Sequence, residues 1–188
     1  MIQDVDNTVK EMLVQKVPID TSAVDIRFEM PTADWAASVA KPTLNVFLYD
    51  LRENHELRNN QRYLARSGGV ANERRAPVRI DLTYLITAWT TDVADEHQLL
   101  GRVLATLLRY PLLPGEVLKG AMQTQPLPLQ AWIAQPERTP NAWDFWSSIE
   151  GRLKAGISYA ITASLEPYPI EEVGLVTEKL LRLRDVSV

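Results

Sequence analysis

The 188-residue chain has no cysteine, which excludes a disulfide framework, a thiolate metal site and a cysteine nucleophile, and suits a reducing compartment. Histidine is scarce as well, with His55 and His97 far apart in the chain. No stretch is long and apolar enough to span a membrane. The opening MIQDVDNTVKEMLVQK alternates charged and apolar residues and lacks the positive start and continuous apolar centre of a signal peptide. An excess of basic residues is missing too. Twenty Lys and Arg, written 20 against 24 Asp and Glu, give a net charge of -4 and a pI near 5.3, which argues against nonspecific binding to nucleic acid or to an anionic membrane. There is no Gly-x-Ser-x-Gly elbow, and no Gly-Lys-Ser/Thr follows the glycines of RSGGVANERR, so neither a hydrolase nucleophile nor a phosphate-cradling loop is indicated. What is present is 46% hydrophobic content, enough for one compact domain with a sizeable core.

Periodicity predicts the elements. Val5, Val9, Met12 and Leu13 recur at helical spacing, so residues 2–16 read as an amphipathic helix that Pro18 ends. VDIRFEM alternates, with Val24, Ile26, Phe28 and Met30 on one face, and predicts a half-buried strand. PTLNVFLYDLREN is more apolar and predicts a strand inside the sheet, buried on both faces near its centre. Residues 59–66 and 77–90 flank the polar SGGVANERRA and read as a hairpin with an extended loop. In its second arm Val78, Ile80, Leu82, Tyr84, Ile86 and Ala88 face one way and Arg79, Asp81, Thr83 and Thr87 the other. Leu99, Leu100, Val103, Leu104, Leu107 and Leu108 share a helical face closed by Pro111 and Pro114-Gly115. LPLQAWIAQ predicts a strand interrupted by Pro128. Thr139-Pro140 starts a helix carrying Trp143, Trp146 and Ile149. GISYAITASL predicts the last sheet strand. These strands and helices make residues 1–165 one globular body, with the helix after residue 92 expected to cover the sheet. Residues 166–188 read as an arm: Pro167, Pro169, Glu171 and Glu172 form a linker, and Leu175, Val176, Leu180, Leu181 and Leu183 fit helix and strand periods alike.

The chemistry-bearing clusters have simple readings. Asp92, Asp95, Glu96 and His97 fall where a helix begins, and acids there satisfy orphan amides and complement the helix dipole. A metal would need several converging ligands. Arg79 and Asp81, two apart on one strand face, could orient a carboxylate and act as a base, or form a same-face ion pair. Arg62, Arg66, Arg74, Arg75 and Arg79 against Glu73 make the hairpin region +4 in an acidic chain. That surface is either a solvated loop or a dock for the carboxylates of an acidic partner. Trp35, Trp89, Trp132, Trp143 and Trp146 read as packing rather than as a ligand platform. No catalytic, metal or cofactor site is indicated.

The blocks MIQDVDNTVKEML, DIRFEMP with DWAASVAKPTLNVFLYDLREN, RRAPVRIDLTYLITAW and DEHQLLGRVLATLLRYPLLP together resemble the cap, or tail-terminator, proteins of bacterial contractile injection systems, which are phage-tail-like particles. The resemblance covers residues 1 to about 165. It implies an α/β (α+β) fold, a mixed, mainly antiparallel β-sheet flanked by helices with a C-terminal arm, and a homo-oligomer, a sixfold ring at the baseplate-distal end, which stops polymerisation of inner tube and sheath and couples the two. It also implies a structural role without enzymatic activity, with sheath protein and inner tube protein as partners, no nucleic acid and no direct membrane insertion. Assembly in the bacterial cytoplasm follows. Within this frame Arg62, Arg66, Arg74, Arg75 and Arg79 are candidates for contact with the tube or a neighbouring subunit, and Leu175, Val176, Leu180, Leu181 and Leu183 for contact with the sheath or a neighbouring subunit. The alternatives are a neck or baseplate adaptor of such a particle and, from a different class, a small metal-dependent hydrolase using Asp92, Asp95, Glu96 and His97.

Overall fold

The computed structural model describes residues 1–67, 70–135 and 141–173, and of residues 66, 67, 70, 142 and 143 it describes the backbone. Helix α1 spans Ile2–Lys16 and buries Val5, Val9, Met12 and Leu13 together with Thr8. Thr8 tolerates burial because its hydroxyl donates to Asp4 O at 2.7 Å and accepts from Lys119 N–H at 3.0 Å. Strands β1 (Asp25–Arg27), β2 (Thr43–Glu53), β5 (Val78–Trp89), β6 (Gln130–Ile133) and β7 (Gly156–Leu165) form a five-stranded sheet in the order β1-β2-β5-β7-β6. Every pairing is antiparallel except β1 with β2. The predicted interior strand is β2, and its first half, Thr43 to Val46, is fully buried.

A second sheet, β3-β4-β8, corrects the predicted hairpin. Strand β3 (Arg62–Ser67) pairs with β4 (Val70–Arg75) from Arg62 opposite Arg75 to Ser67 opposite Val70, whereas β5 pairs with β2 and β7. VANERR is thus a strand, not loop. The physical reason is that Asn72, Arg74 and Arg75 are exposed and polar, so the strand carries no apolar alternation to announce it. The short β8 (Glu171–Val173) then follows the predicted last strand and pairs with β4.

Each face of the large sheet is covered. On one, α1 and α3 (Val93–Leu107) and 3-10 turns at Gly115–Val117 and Gly120–Thr124 enclose a core that includes Leu44, Leu82, Tyr84, Ile86, Tyr159 and Ile161. On the other, Leu85 and Trp89 meet Trp146 of α4 (Ala142–Ser148), with Trp35 of α2 (Ala33–Ala37) packed beside them. The Trp35 and Trp89 rings are T-shaped at 5.2 Å, and Trp89 lies 6.3 Å from Trp146, so these tryptophans pack as expected. Helix α2 was not foreseen, although Thr32 caps it by accepting from Trp35 N–H at 3.2 Å. The expected helix start at Thr139-Pro140 and the side chain of Trp143 lie outside the described residues.

Tyr84 and Tyr159 face each other across β5 and β7, fully buried. Burial above all pushes both phenol pKa values well above 10, and for Tyr84 the hydrogen bond it donates to Asp6 Oδ1 at 2.7 Å adds to the rise. A raised folded pKa stabilises fully below the unfolded value near 10 and is lost above it, because there the unfolded chain ionises first. Stability is therefore expected to fall above pH ~10, by up to roughly 1.4 kcal/mol per pH unit per tyrosine. The Tyr159 hydroxyl has no hydrogen-bond partner among the described residues. Tyr159→Phe is thus expected to raise stability by on the order of 1 kcal/mol at neutral pH and to shallow the alkaline decline. Urea unfolding at neutral and alkaline pH checks both effects, and a variant less stable than the natural chain contradicts them.

Candidate docking surface

The acids of the 92–97 segment hold the start of α3. Asp92 is its N-cap, and its carboxylate accepts from Ala94 N–H at 2.6 Å. Asp95 and Glu96 occupy the first turn, where the helix dipole favours them. Glu96 also accepts from Thr90 N–H at 3.3 Å and pairs with Lys154, whose ammonium lies 4.5 Å above the Trp89 ring. His97 is exposed, and among the described residues no three His, Asp or Glu side chains gather as metal ligands. Asp92→Ala is expected to cost about 1 kcal/mol through the lost cap. An unchanged thermal midpoint would contradict that role.

Arg79 and Asp81 do come together, but inside the protein. They are 5% and 4% exposed. Arg79 donates to Ser164 Oγ at 3.0 Å and Thr162 O at 3.4 Å, while Asp81 accepts from Thr162 Oγ1 at 2.6 Å and from Asn54 Nδ2 at 3.1 Å. Burial lowers the guanidinium pKa from its ordinary value, and the charge of Asp81 opposes the shift. Arg79 is thus buried behind Arg74 and Arg75, which are exposed. The face of β5 that carries it is covered, not solvated.

The remaining arginines sit on the small sheet. Arg62 pairs with Glu73 at 2.7 Å, Arg74 pairs with Glu166, and the Arg75 guanidinium lies 4.8 Å from the Tyr168 ring centroid. Arg66 stands opposite Ala71 in the ladder. β8 places Glu171 opposite Glu73 and Glu172 opposite Asn72. The chain's own 166–172 segment thus offsets much of the hairpin's +4, which composition alone could not reveal. Glu171 and Glu172 keep their side chains in water while their backbone pairs with β4, so the start of the expected arm turns back onto its own hairpin. Leu175, Val176, Leu180, Leu181 and Leu183 lie outside the described residues.

Between the small sheet and the loop leading into β6 runs a groove of about 660 Å³. Arg74, Arg75 and Arg79 line it together with Leu57, Tyr63, Leu112, Leu127 and the prolines Pro77, Pro126 and Pro128. Sequence reading found its arginines but not its apolar wall, because the wall comes from segments remote in the chain.

A family model described as the Pvc16 N-terminal domain matches residues 4–177. The chain belongs to that family. Two structures solved by electron cryo-microscopy resemble this chain. One is the PVC sheath/tube terminator of an extracellular contractile injection system in its extended state, with a TM-score of 0.73 and 23% identity over 100% of this chain and 64% of that one. The other is the anti-feeding prophage cap, a tube terminating cap, with a TM-score of 0.70 and 24% identity over 97% of this chain and 62% of that one. At these identities the likeness is one of fold, and it agrees with the mixed, mainly antiparallel architecture that the resemblance implied. The chain spans just under two thirds of the length of each. No curated protein matches it.

Proposed function

We propose that this Pvc16 N-terminal domain is a structural cap of a contractile injection particle. It forms a ring, six subunits by the resemblance, at the baseplate-distal end, where it ends growth of inner tube and sheath and joins the two. The observation that carries this reading is that the whole chain overlays a sheath/tube terminator at a TM-score of 0.73, with a tube terminating cap close behind. The physical organisation supports it. A ring needs two different faces per subunit that meet head to tail, and the chain offers a rigid, doubly covered sheet and an outlying three-stranded sheet with an open groove. The acids of a hydrolase reading are engaged in capping α3 and pairing with Lys154, which favours a non-enzymatic role. Assembly in the bacterial cytoplasm, without nucleic acid or membrane insertion, belongs to the same proposal.

Cells that lack the chain but make the other particle proteins are expected to yield tubes and sheaths of uncontrolled length under the electron microscope. Normal lengths with a defective baseplate would favour the adaptor reading instead. The apolar residues Leu175, Val176, Leu180, Leu181 and Leu183 are proposed to engage the sheath or a neighbouring subunit. A chain cut after Val173 is then expected to keep its unfolding midpoint within about 1 kcal/mol of the natural stability, by urea titration, yet to cap no particles. A loss of several kcal/mol would instead make that segment part of the chain's own core.

A further inference from the structure

The groove beside the small sheet has a chemistry at odds with the rest of the chain. Among the described residues three arginines line it and no acid does, although the net charge of the chain is -4. Arg79 contributes a side chain only 5% exposed, whose Nε–H has no partner among the described residues. Arg75 lies against the Tyr168 ring, and a guanidinium stacked in this way keeps its in-plane N–H donors free for a carboxylate fork. The walls are apolar: Leu57, Tyr63, Leu112 and Leu127 are 39–52% exposed around one opening. Large apolar side chains gathered at one site mark a surface that a partner covers. A volume of about 660 Å³ accommodates a few residues of extended chain. A small dicarboxylate would leave the apolar walls bare, and a nucleic-acid backbone would lay charge against leucine and proline.

We propose that this groove binds an extended peptide segment of another polypeptide in which a carboxylate side chain stands next to a bulky apolar one. The carboxylate meets Arg75 and Arg79, and the apolar side chain fills the space between Tyr63 and Leu127. The proposal narrows the reading of the arginine hairpin as a docking surface. Its test reads peptide affinity alone, so its failure leaves the position and symmetry of the capping ring untouched.

The test is fluorescence polarisation of the full chain with a labelled short peptide that alternates leucine and aspartate, beside its leucine and asparagine counterpart. Saturable binding of the aspartate peptide is expected, weakening as salt is raised, with the asparagine peptide at least about tenfold weaker. Arg75→Gln and, separately, Leu127→Ser are each expected to weaken binding at least about tenfold. Both positions are exposed, so the variants keep the fold, and Arg152→Gln, outside the groove, is expected to bind like the natural chain. No saturable binding, equal affinity for the two peptides, or an Arg75→Gln chain that binds undiminished would overturn the proposal. Displacement of the peptide by succinate or by oligo-thymidylate at comparable concentration would overturn it too, in favour of a small-anion or nucleic-acid site.

Discussion

Asp81→Ala is expected to cost on the order of 3 kcal/mol of folding stability, because it removes a buried carboxylate that accepts from Asn54 and Thr162 and leaves those donors unpaired. Arg79 would keep its hydrogen bonds to Ser164 and Thr162 but lose the negative charge that opposes its desolvation. Asn54 Nδ2 and Thr162 Oγ1 would lose their carboxylate acceptor as well. Replacing both charges with apolar residues, as in Arg79→Met with Asp81→Leu, is expected to recover part of the loss, since no uncompensated ion remains. Urea unfolding of the two single variants and the double variant reads the coupling. A single variant within 1 kcal/mol of the natural chain would show that water already reaches Arg79 through the groove it lines.

Trp146→Ala is expected to cost about 3–5 kcal/mol, the usual range for deleting a buried large aromatic. Trp146 is 3% exposed, with Phe145 at 5.6 Å and Trp89 at 6.3 Å, and it keys α4 to the outer face of the large sheet. The chain is tight around it. A Cβ added at Gly151 would stand 2.7 Å from the Trp146 ring, so the neighbourhood is shaped to this indole. Loss of the ring is also expected to loosen Trp35 and Trp89, which near-ultraviolet circular dichroism would register as a weakened aromatic signal. A variant with natural stability and an unchanged aromatic spectrum would mean that α4 is peripheral to the fold.

What the sequence made legible is where large apolar side chains recur with a clear period, whether or not the opposite face is also covered. Helix α1 was bounded correctly at residues 2–16 because its stripe, Val5, Val9, Met12 and Leu13, faces the core while its other side is wet. β5 and β7 were legible by their alternation, and Asp92 by the need of α3 for an N-cap. Three features were hidden for distinct reasons. β4 has a polar sequence, VANERR, with Asn72, Arg74 and Arg75 exposed, so no period distinguishes it from a loop. β8 is three residues long and includes two glutamates, and it exists because β4 offers an open edge. The burial of Arg79 and Asp81 depends on the cover over the second face of β5, which single-strand alternation cannot foresee.

The same limits apply to the docking surface. Its arginines were visible as a local charge reversal, but their partial neutralisation by Glu73 and Glu166 and the apolar wall opposite them are products of tertiary structure. The family was legible because the resemblance rests on ordered blocks spread over most of the chain, and the Pvc16 N-terminal domain model matches residues 4–177.

The most direct measurement is electron microscopy of intact particles that carry a gold label on this chain, with class averages taken down the particle axis. The label is expected at one end alone, opposite the baseplate, in a ring of sixfold symmetry that closes the tube. Label at the baseplate, along the sheath, or on a lone subunit without rotational symmetry would contradict the capping role.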